Sequence, residues 1–211
     1  RYYFTYVAGS RHGPATALAS TSDFRTFERH GVIFCPENKD VVLFPEPIGG
    51  TFAALHRPVC GQPFTRPEMW VARSPDLIHW GSHTPLPLTG GDWQSGRVGA
   101  GPPPIRVPEG WVAIYHGNRQ PTRPGDVGEY VAGALLLDAA DPTRVLRQSA
   151  EPFLRPEASF EVSGFVPNVV FPTGVVPDGE TLLVYCGSAD AVTSVVEFDR
   201  AELLNRLALR R

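Results

Sequence analysis

Lys39, Arg57, Arg97 and His116 are the side chains of this 211-residue chain whose types and settings suit the holding of an anion. Most of them stand where an apolar run begins or ends. Asn38-Lys39-Asp40 precedes Val41-Val42-Leu43-Phe44-Pro45, Leu55-His56-Arg57-Pro58 closes a second run, Tyr115-His116-Gly117 a third, and Gly187-Ser188-Ala189-Asp190 a fourth. Arg97 sits in the Trp93–Gly101 loop, which runs into Pro102-Pro103-Pro104 and is too small and rigid to be filler. Singly, each has a plain structural reading: Lys39-Asp40 as a turn, His56 and His116 as hydrogen-bonded core histidines, Arg57 as a strand-end ion-pair partner. Jointly they gather like charge, which needs a bound anion to offset repulsion and desolvation. Phosphate suits such a group, since arginine offers a bidentate fork and lysine a point charge.

Other chemistries find less support. No His-x-x-x-His or paired carboxylate–histidine spacing suggests a metal, and no Gly-x-Ser-x-Gly elbow suggests a nucleophilic serine. Net charge is −3 with a pI near 6.1, which gives no reason to expect nucleic acid or an anionic membrane as partner. No apolar run approaches the 18 or more residues of a membrane helix. The three cysteines, Cys35, Cys60 and Cys186, lack metal-ligand spacing and read as reduced thiols of a cytoplasmic protein. Of 19 basic residues only Lys39 is lysine, as a GC-rich genome would produce. That lysine is either chance or a place where a compact ammonium cannot be exchanged for a planar guanidinium. The tryptophans Trp70, Trp80, Trp93 and Trp111 could stack on sugar faces, although aromatics at strand positions are mostly core.

The elements that must position these groups are strands. Gly (21) and Pro (22) make up a fifth of the chain and break helices throughout. One hairpin-like unit is written four times. Its leading strands are 2–9, 51–58, 110–117 and 181–188, and its partners are 16–27, 69–80, 130–146 and 193–204. Each partner leaves through an Asp-containing turn. The first two turns are nearly the same sentence, Ser22-Asp23-Phe24-x-x-Phe27 against Pro75-Asp76-Leu77-x-x-Trp80. Units of about 50 to 70 residues, with room for two weaker strands each, have the spacing of four-stranded β-propeller blades. The expected architecture is therefore an all-β propeller, with 1–211 as one catalytic domain and 200–209 its only plausible helix. Because Arg1 opens directly into a strand, the chain is expected to begin inside the domain, with a first blade lying before it.

The strings KDVVLFPE (39–46), LHRP (55–58), SPDLIHWG (74–81), GRVGAGPPPI (96–105), GWVAIYHG (110–117), GALLLDAADP (133–142), GFVPNVVFPTG (164–174) and YCGSAD (185–190) resemble glycoside hydrolase family 130 along essentially the whole chain. That resemblance implies a five-bladed propeller, of which about four blades are present here. It also implies inverting phosphorolysis of β-mannosides to α-mannose 1-phosphate, with inorganic phosphate as co-substrate and no cofactor. By resemblance, Lys39, Arg57, Arg97 and His116 bind phosphate, and Asp40, His56 and Asp190 bind the mannoside. The family's general acid, the Asp of an E-D-P-R segment, falls before Arg1, so the catalytic residue is not among these 211. Cys186 stands where the family carries a tyrosine. Some members hydrolyse β-1,2-mannosides instead, for which Glu161 is the candidate base; a truncated, non-catalytic sugar-binding propeller is the third alternative. An inverting hydrolase spaces acid and base about 6.5–9.5 Å apart to admit water, whereas phosphate is itself an anionic nucleophile and removes the need for the base. Acceptor subsites fall to loops 61–68 and 119–128, and homo-oligomerisation is left open.

Overall fold

Alternating small and apolar residues, punctuated by glycine and proline, give sixteen short strands among the described residues, which in this computed structural model are 1–59, 68–121, 123 and 125–209. The first sheet is an antiparallel meander of β1 (Tyr2–Ser10), β2 (Gly13–Thr21) and β3 (Glu28–Phe34). The second joins β4 (Asn38–Leu43), β5 (Phe52–Pro58), β6 (Trp70–Ser74) and β7 (Gly81–Pro85) in chain order. In the third, β8 (Val98–Ala100) and β9 (Ile105–Val107) both pair with β10 (Gly110–Asn118), which is followed outward by β11 (Tyr130–Leu137) and β12 (Val145–Ser149). Prolines 102–104 separate β8 from β9, because a residue without an N–H cannot continue the ladder. After a one-turn helix α1 (Ser159–Val162), the fourth sheet comprises β13 (Val170–Asp178), β14 (Thr181–Ser188) and β15 (Val192–Asp199).

The expected terminal helix is only α2 (Arg200–Asn205), capped by the Asp199 carboxylate, which accepts from the Glu202 N–H. The residues beyond it form β16 (Leu207–Leu209), which adds to β12 of the third sheet; pairing with that open edge satisfies the backbone better than extending a helix.

The four sequence units map onto the four sheets. Asp23 and Asp76, at the two near-identical turns, each accept two backbone N–H bonds from the residues two and three positions on, at 2.8–2.9 Å. Phe24 and Leu77 take matching left-handed conformations, with φ of 55° and 69°. Asp138 repeats the arrangement after β11.

The core is divided into three layers, each between consecutive sheets. Leu18, Phe34, Val41, Ala54 and Ala72 fill the first layer; Leu55, Met69, Val71, Trp111, Tyr115 and Leu135 the second; Ile114, Leu136, Val170, Leu182 and Val184 the third. Alternation along a strand explains the division. Ala53 and Leu55 of β5 face the third sheet, while Ala54 faces the first. The strand that opens each later sheet packs on the sheet before it: β4 on β1 and β2, β8 on β4 and β5, and β13 on β10 and β11. This is the blade-to-blade stacking of a propeller. Among the described residues, no helix is long and apolar enough to cross a membrane.

Candidate functional site

Arg57 extends the parity of Ala53 and Leu55, so its guanidinium points from β5 toward the third sheet, where it is only 6 % exposed. A charge so buried needs a partner. Asp40 supplies it: its Oδ2 lies 2.9 Å from Arg57 Nη1, an ion pair by distance that lacks hydrogen-bond alignment. Asp40 reaches that position because the β4–β5 register shifts between Lys39 and Val42, leaving Asp40 in a bulge at φ 54°. A left-handed backbone is tolerated by Asp better than by most residues, and the bulge re-aims the side chain.

His116, from β10 of the neighbouring sheet, completes the group. Its Nε2 lies 3.4 Å from Asp40 Oδ2 and 3.3 Å from Arg57 Nη1, and its ring is fully buried. Opposite His116 in the ladder stands Gly99 of β8. A Cβ at that position would come within 2.1 Å of Asp40 Oδ2 and 2.6–2.7 Å of the imidazole, so only glycine leaves room for the carboxylate and the ring to meet.

The electrostatics follow from this packing. Burial alone would raise the Asp40 carboxyl, but the close approach of His116 and the charges of Arg57 and Lys39 outweigh that and hold it below the usual carboxylate range. Burial drives His116 below the usual imidazole value against the opposing pull of Asp40, so the ring is neutral near pH 7. Asp40 and Arg57 thus cancel, and Lys39 and Arg97 contribute the remaining positive charge. Arg57 Nε is buried and has no hydrogen-bond partner among the described residues.

The four expected phosphate ligands form one connected series. Lys39 stands opposite Arg57 in the β4–β5 register. Arg57 meets His116, whose ring lies 5.7 Å from that of Tyr130, and the Tyr130 hydroxyl accepts a 3.0 Å hydrogen bond from Arg97 Nη1. Arg97 is exposed. The loop before it is anchored by Trp93, whose Nε1–H donates to the Ala150 carbonyl and whose ring lies over Gly117 and Gly133. Gln94 and Gln148 both donate to the buried Tyr115 hydroxyl and tie that loop to the third sheet.

Two of the expected sugar ligands lie apart from this series. His56, next to Arg57 on β5, faces the first sheet: it stacks on Phe34 at 4.8 Å, its Nδ1 meets Asn38 Nδ2 at 3.0 Å, and its Nε2 meets His83 Nδ1 at 3.1 Å. Burial, with a smaller push from His83, lowers its pKa to about 3. Asp190 is exposed in the β14–β15 turn, where it and Ala189 are both left-handed. The Glu161 carboxylate accepts the backbone N–H bonds of Glu157 and Ala158 at 2.9 Å, ordering the start of α1. Cys60 and nearly all of loop 61–68 lie outside the described residues, as do positions 122 and 124 of the 119–128 loop.

The structure adds residues that pattern reading missed. The Phe171 ring of β13 lies tilted against that of His116 at 4.3 Å, and Tyr130 joins His116 to Arg97. Tyr130 opens the 130–146 strand and Phe171 lies in the 164–174 string, and neither was assigned a role. Among the described residues, no group of three or more His, Cys, Asp or Glu could hold a metal.

This part of a propeller gathers Arg57, Lys39 and His116 from two adjacent sheets around the one buried Asp40 carboxylate. The chain belongs to glycoside hydrolase family 130, whose pattern, described as beta-1,4-mannooligosaccharide phosphorylase, matches residues 1–209. It is 42 % identical to the beta-1,2-mannobiose phosphorylase of Listeria innocua over 207 residues, covering 98 % of this chain and 56 % of that protein. The solved Listeria innocua enzyme in complex with beta-1,2-mannobiose superposes with a TM-score of 0.91, covering 98 % of this chain and 57 % of that one. A solved structure of GH130 glycoside hydrolases that target beta-1,2 mannosidic linkages in Candida mannan matches at 27 % identity and a TM-score of 0.79, covering 95 % of this chain and 62 % of that one. The chain therefore spans a little over half the length of the relatives it matches.

Proposed function

We propose that the protein is an inverting glycoside phosphorylase that cleaves a β-mannoside with inorganic phosphate, giving α-mannose 1-phosphate and a free acceptor sugar, with residues 1–211 forming part of one propeller catalytic domain. The observation that carries this reading is the buried Arg57 guanidinium, 3.3 Å from His116 and with an Nε that has no partner among the described residues. Lys39, Arg57, Arg97 and His116 hold the phosphate. Asp190 serves the sugar side; of the other two expected sugar ligands, His56 turns to Asn38 and His83, and Asp40 pairs with Arg57 at the phosphate group. Phosphate so held attacks the anomeric carbon as the glycosidic C–O bond breaks on the opposite face, converting β to α. The leaving oxygen takes its proton from the general acid that the family resemblance places before Arg1. Proximity and charge pairing supply the rate, without an enzymic base.

The hydrolytic alternative needs a carboxylate to activate water, and Glu161 is committed to two backbone N–H groups at α1. The free thiols Cys35 and Cys186 fit a reducing, cytoplasmic setting.

Beta-1,2-mannobiose is the first substrate to test, because the 42 % identical relative is named for it. With phosphate present, α-mannose 1-phosphate should accumulate, and Arg57→Ala should abolish that phosphate-dependent turnover. Release of free mannose at equal rates with and without phosphate would contradict the assignment.

A further inference from the structure

We propose that Asp40 sorts protonated from unprotonated oxyanions at the Arg57–His116 pair: its carboxylate accepts a hydrogen bond from the P–OH of phosphate and repels a tetrahedral dianion that carries no proton. The inference rests on the phosphate-site reading above and goes beyond it in assigning ion selectivity to one side chain.

A site built only to attract phosphate would present donors and cations. This one has a carboxylate at its centre. Asp40 Oδ2 lies 2.9 Å from Arg57 Nη1 and 3.4 Å from His116 Nε2, so an oxyanion gripped by those two groups also comes within reach of Asp40. The Asp40 side chain is only 12 % exposed, where a charge repels another charge with little screening by water. Its Oδ2 is buried without an aligned hydrogen-bond donor, and an ionised carboxylate has lone pairs and no proton to give. Such an oxygen lacks an aligned donor among the described residues, and hydrogen phosphate brings one. Sulfate, with the same shape and charge but no proton near neutral pH, would leave Oδ2 facing an oxygen lone pair. A buried polar group left unpaired rejects the analogue that cannot satisfy it.

The local backbone is built around this placement. A bulge and a left-handed residue aim Asp40 inward, and Gly99 leaves the notch it occupies. If Asp40 served only to neutralise Arg57, sulfate and phosphate would bind alike. Arg57 Nε, without a partner among the described residues, is left for the incoming ion.

The test is a calorimetric titration of the protein with inorganic phosphate, arsenate and sulfate, repeated with Asp40→Asn. The wild-type protein should bind phosphate and arsenate, which both carry a proton, at least about tenfold more tightly than sulfate. Asp40→Asn, whose amide can donate to either ion, should bring phosphate and sulfate within about threefold of each other. Equal wild-type affinity for phosphate and sulfate, or a wild-type ratio preserved in Asp40→Asn, would overturn the inference while leaving the phosphate site standing. Binding of none of the three ions would remove the phosphate site itself and the inference with it. The wild-type series alone decides the matter if the variant does not fold.

Discussion

Strands β10 and β11 of the third sheet differ from β1 and β15, in the first and last of the four described sheets, in how their faces are covered. Every residue of β10 and β11 is buried, because the third sheet packs against a neighbour on each side. On β1 and β15, in the flanking sheets, no residue is fully buried, and Tyr2 and Val195 are 57 % and 51 % exposed. Asp40, Arg57 and His116 all stand on strands of the second and third sheets, whereas Asp190 and Glu161 lie with the fourth sheet. The difference teaches that the fold places the Asp40–Arg57 ion pair and His116 where packing leaves least freedom. A buried ion pair depends on such a frame, because its geometry decides whether attraction exceeds desolvation.

The contrast should be largest in the core itself. Leu135→Ala, in the layer between the middle sheets, should cost about 2–5 kcal/mol by chemical denaturation. Val195→Ala on the fourth sheet should stay within about 0.5 kcal/mol. Equal losses would mean that the flanking sheets are covered as fully as the middle ones.

Glycine substitutions sharpen the same point on a smaller scale. A Cβ at Gly133 would lie 2.5 Å from the Trp93 ring and 2.9 Å from Tyr115, so Gly133→Ala should destabilise by about 1–3 kcal/mol and quench or shift Trp93 fluorescence. At Gly9 of β1 nothing lies within 4 Å, and Gly9→Ala should change stability by less than about 0.5 kcal/mol.

Acid should separate the regions next. His56 is neutral when folded, with its pKa down near 3, while the unfolded chain takes up that proton near 6.5. Its contribution is complete above pH 6.5 and declines as pH falls toward 3. Stability measured across that window should flatten in His56→Gln, and an unchanged slope would contradict the buried, neutral state. Asp23, in the first sheet's turn, works at lower pH and with smaller effect. Backbone N–H bonds from Thr26 and Arg25 hold its pKa near 2, so its contribution is present above 3.8 and lost as pH falls toward 2. Asp23→Asn should reduce the loss of stability in that interval only slightly, because the group is fully exposed.

Repetition made the sheets legible from sequence. Two strong strands and an Asp turn recur in each unit, and the Asp carboxylate performs the same capping at Asp23 and Asp76. The opening strands were harder to read. β4 is bulged and β8 is cut short by prolines 102–104, so neither presents a clean alternation. Among the site residues, Arg57 and His116 were visible because a charge or an imidazole closing an apolar strand is unusual. The side to which His56 turns follows from parity once Ala53 and Leu55 are assigned to the middle core layer. Tyr130 and Phe171 were hidden, since an aromatic in a strand has the same pattern whether it packs in a core or against a buried histidine. The pairing of Asp40 with Arg57 depends on the bulge, a backbone irregularity that side-chain patterning does not encode.

The central claim is that basic side chains from adjacent sheets converge on one oxyanion. Diffraction from crystals grown with arsenate tests it most directly, because arsenic can be located by its anomalous scattering. The account predicts one strong peak with an arsenate oxygen within hydrogen-bond distance of Arg57 Nε and another beside His116. A map with no density there, and Arg57 still directed wholly at Asp40, would contradict it.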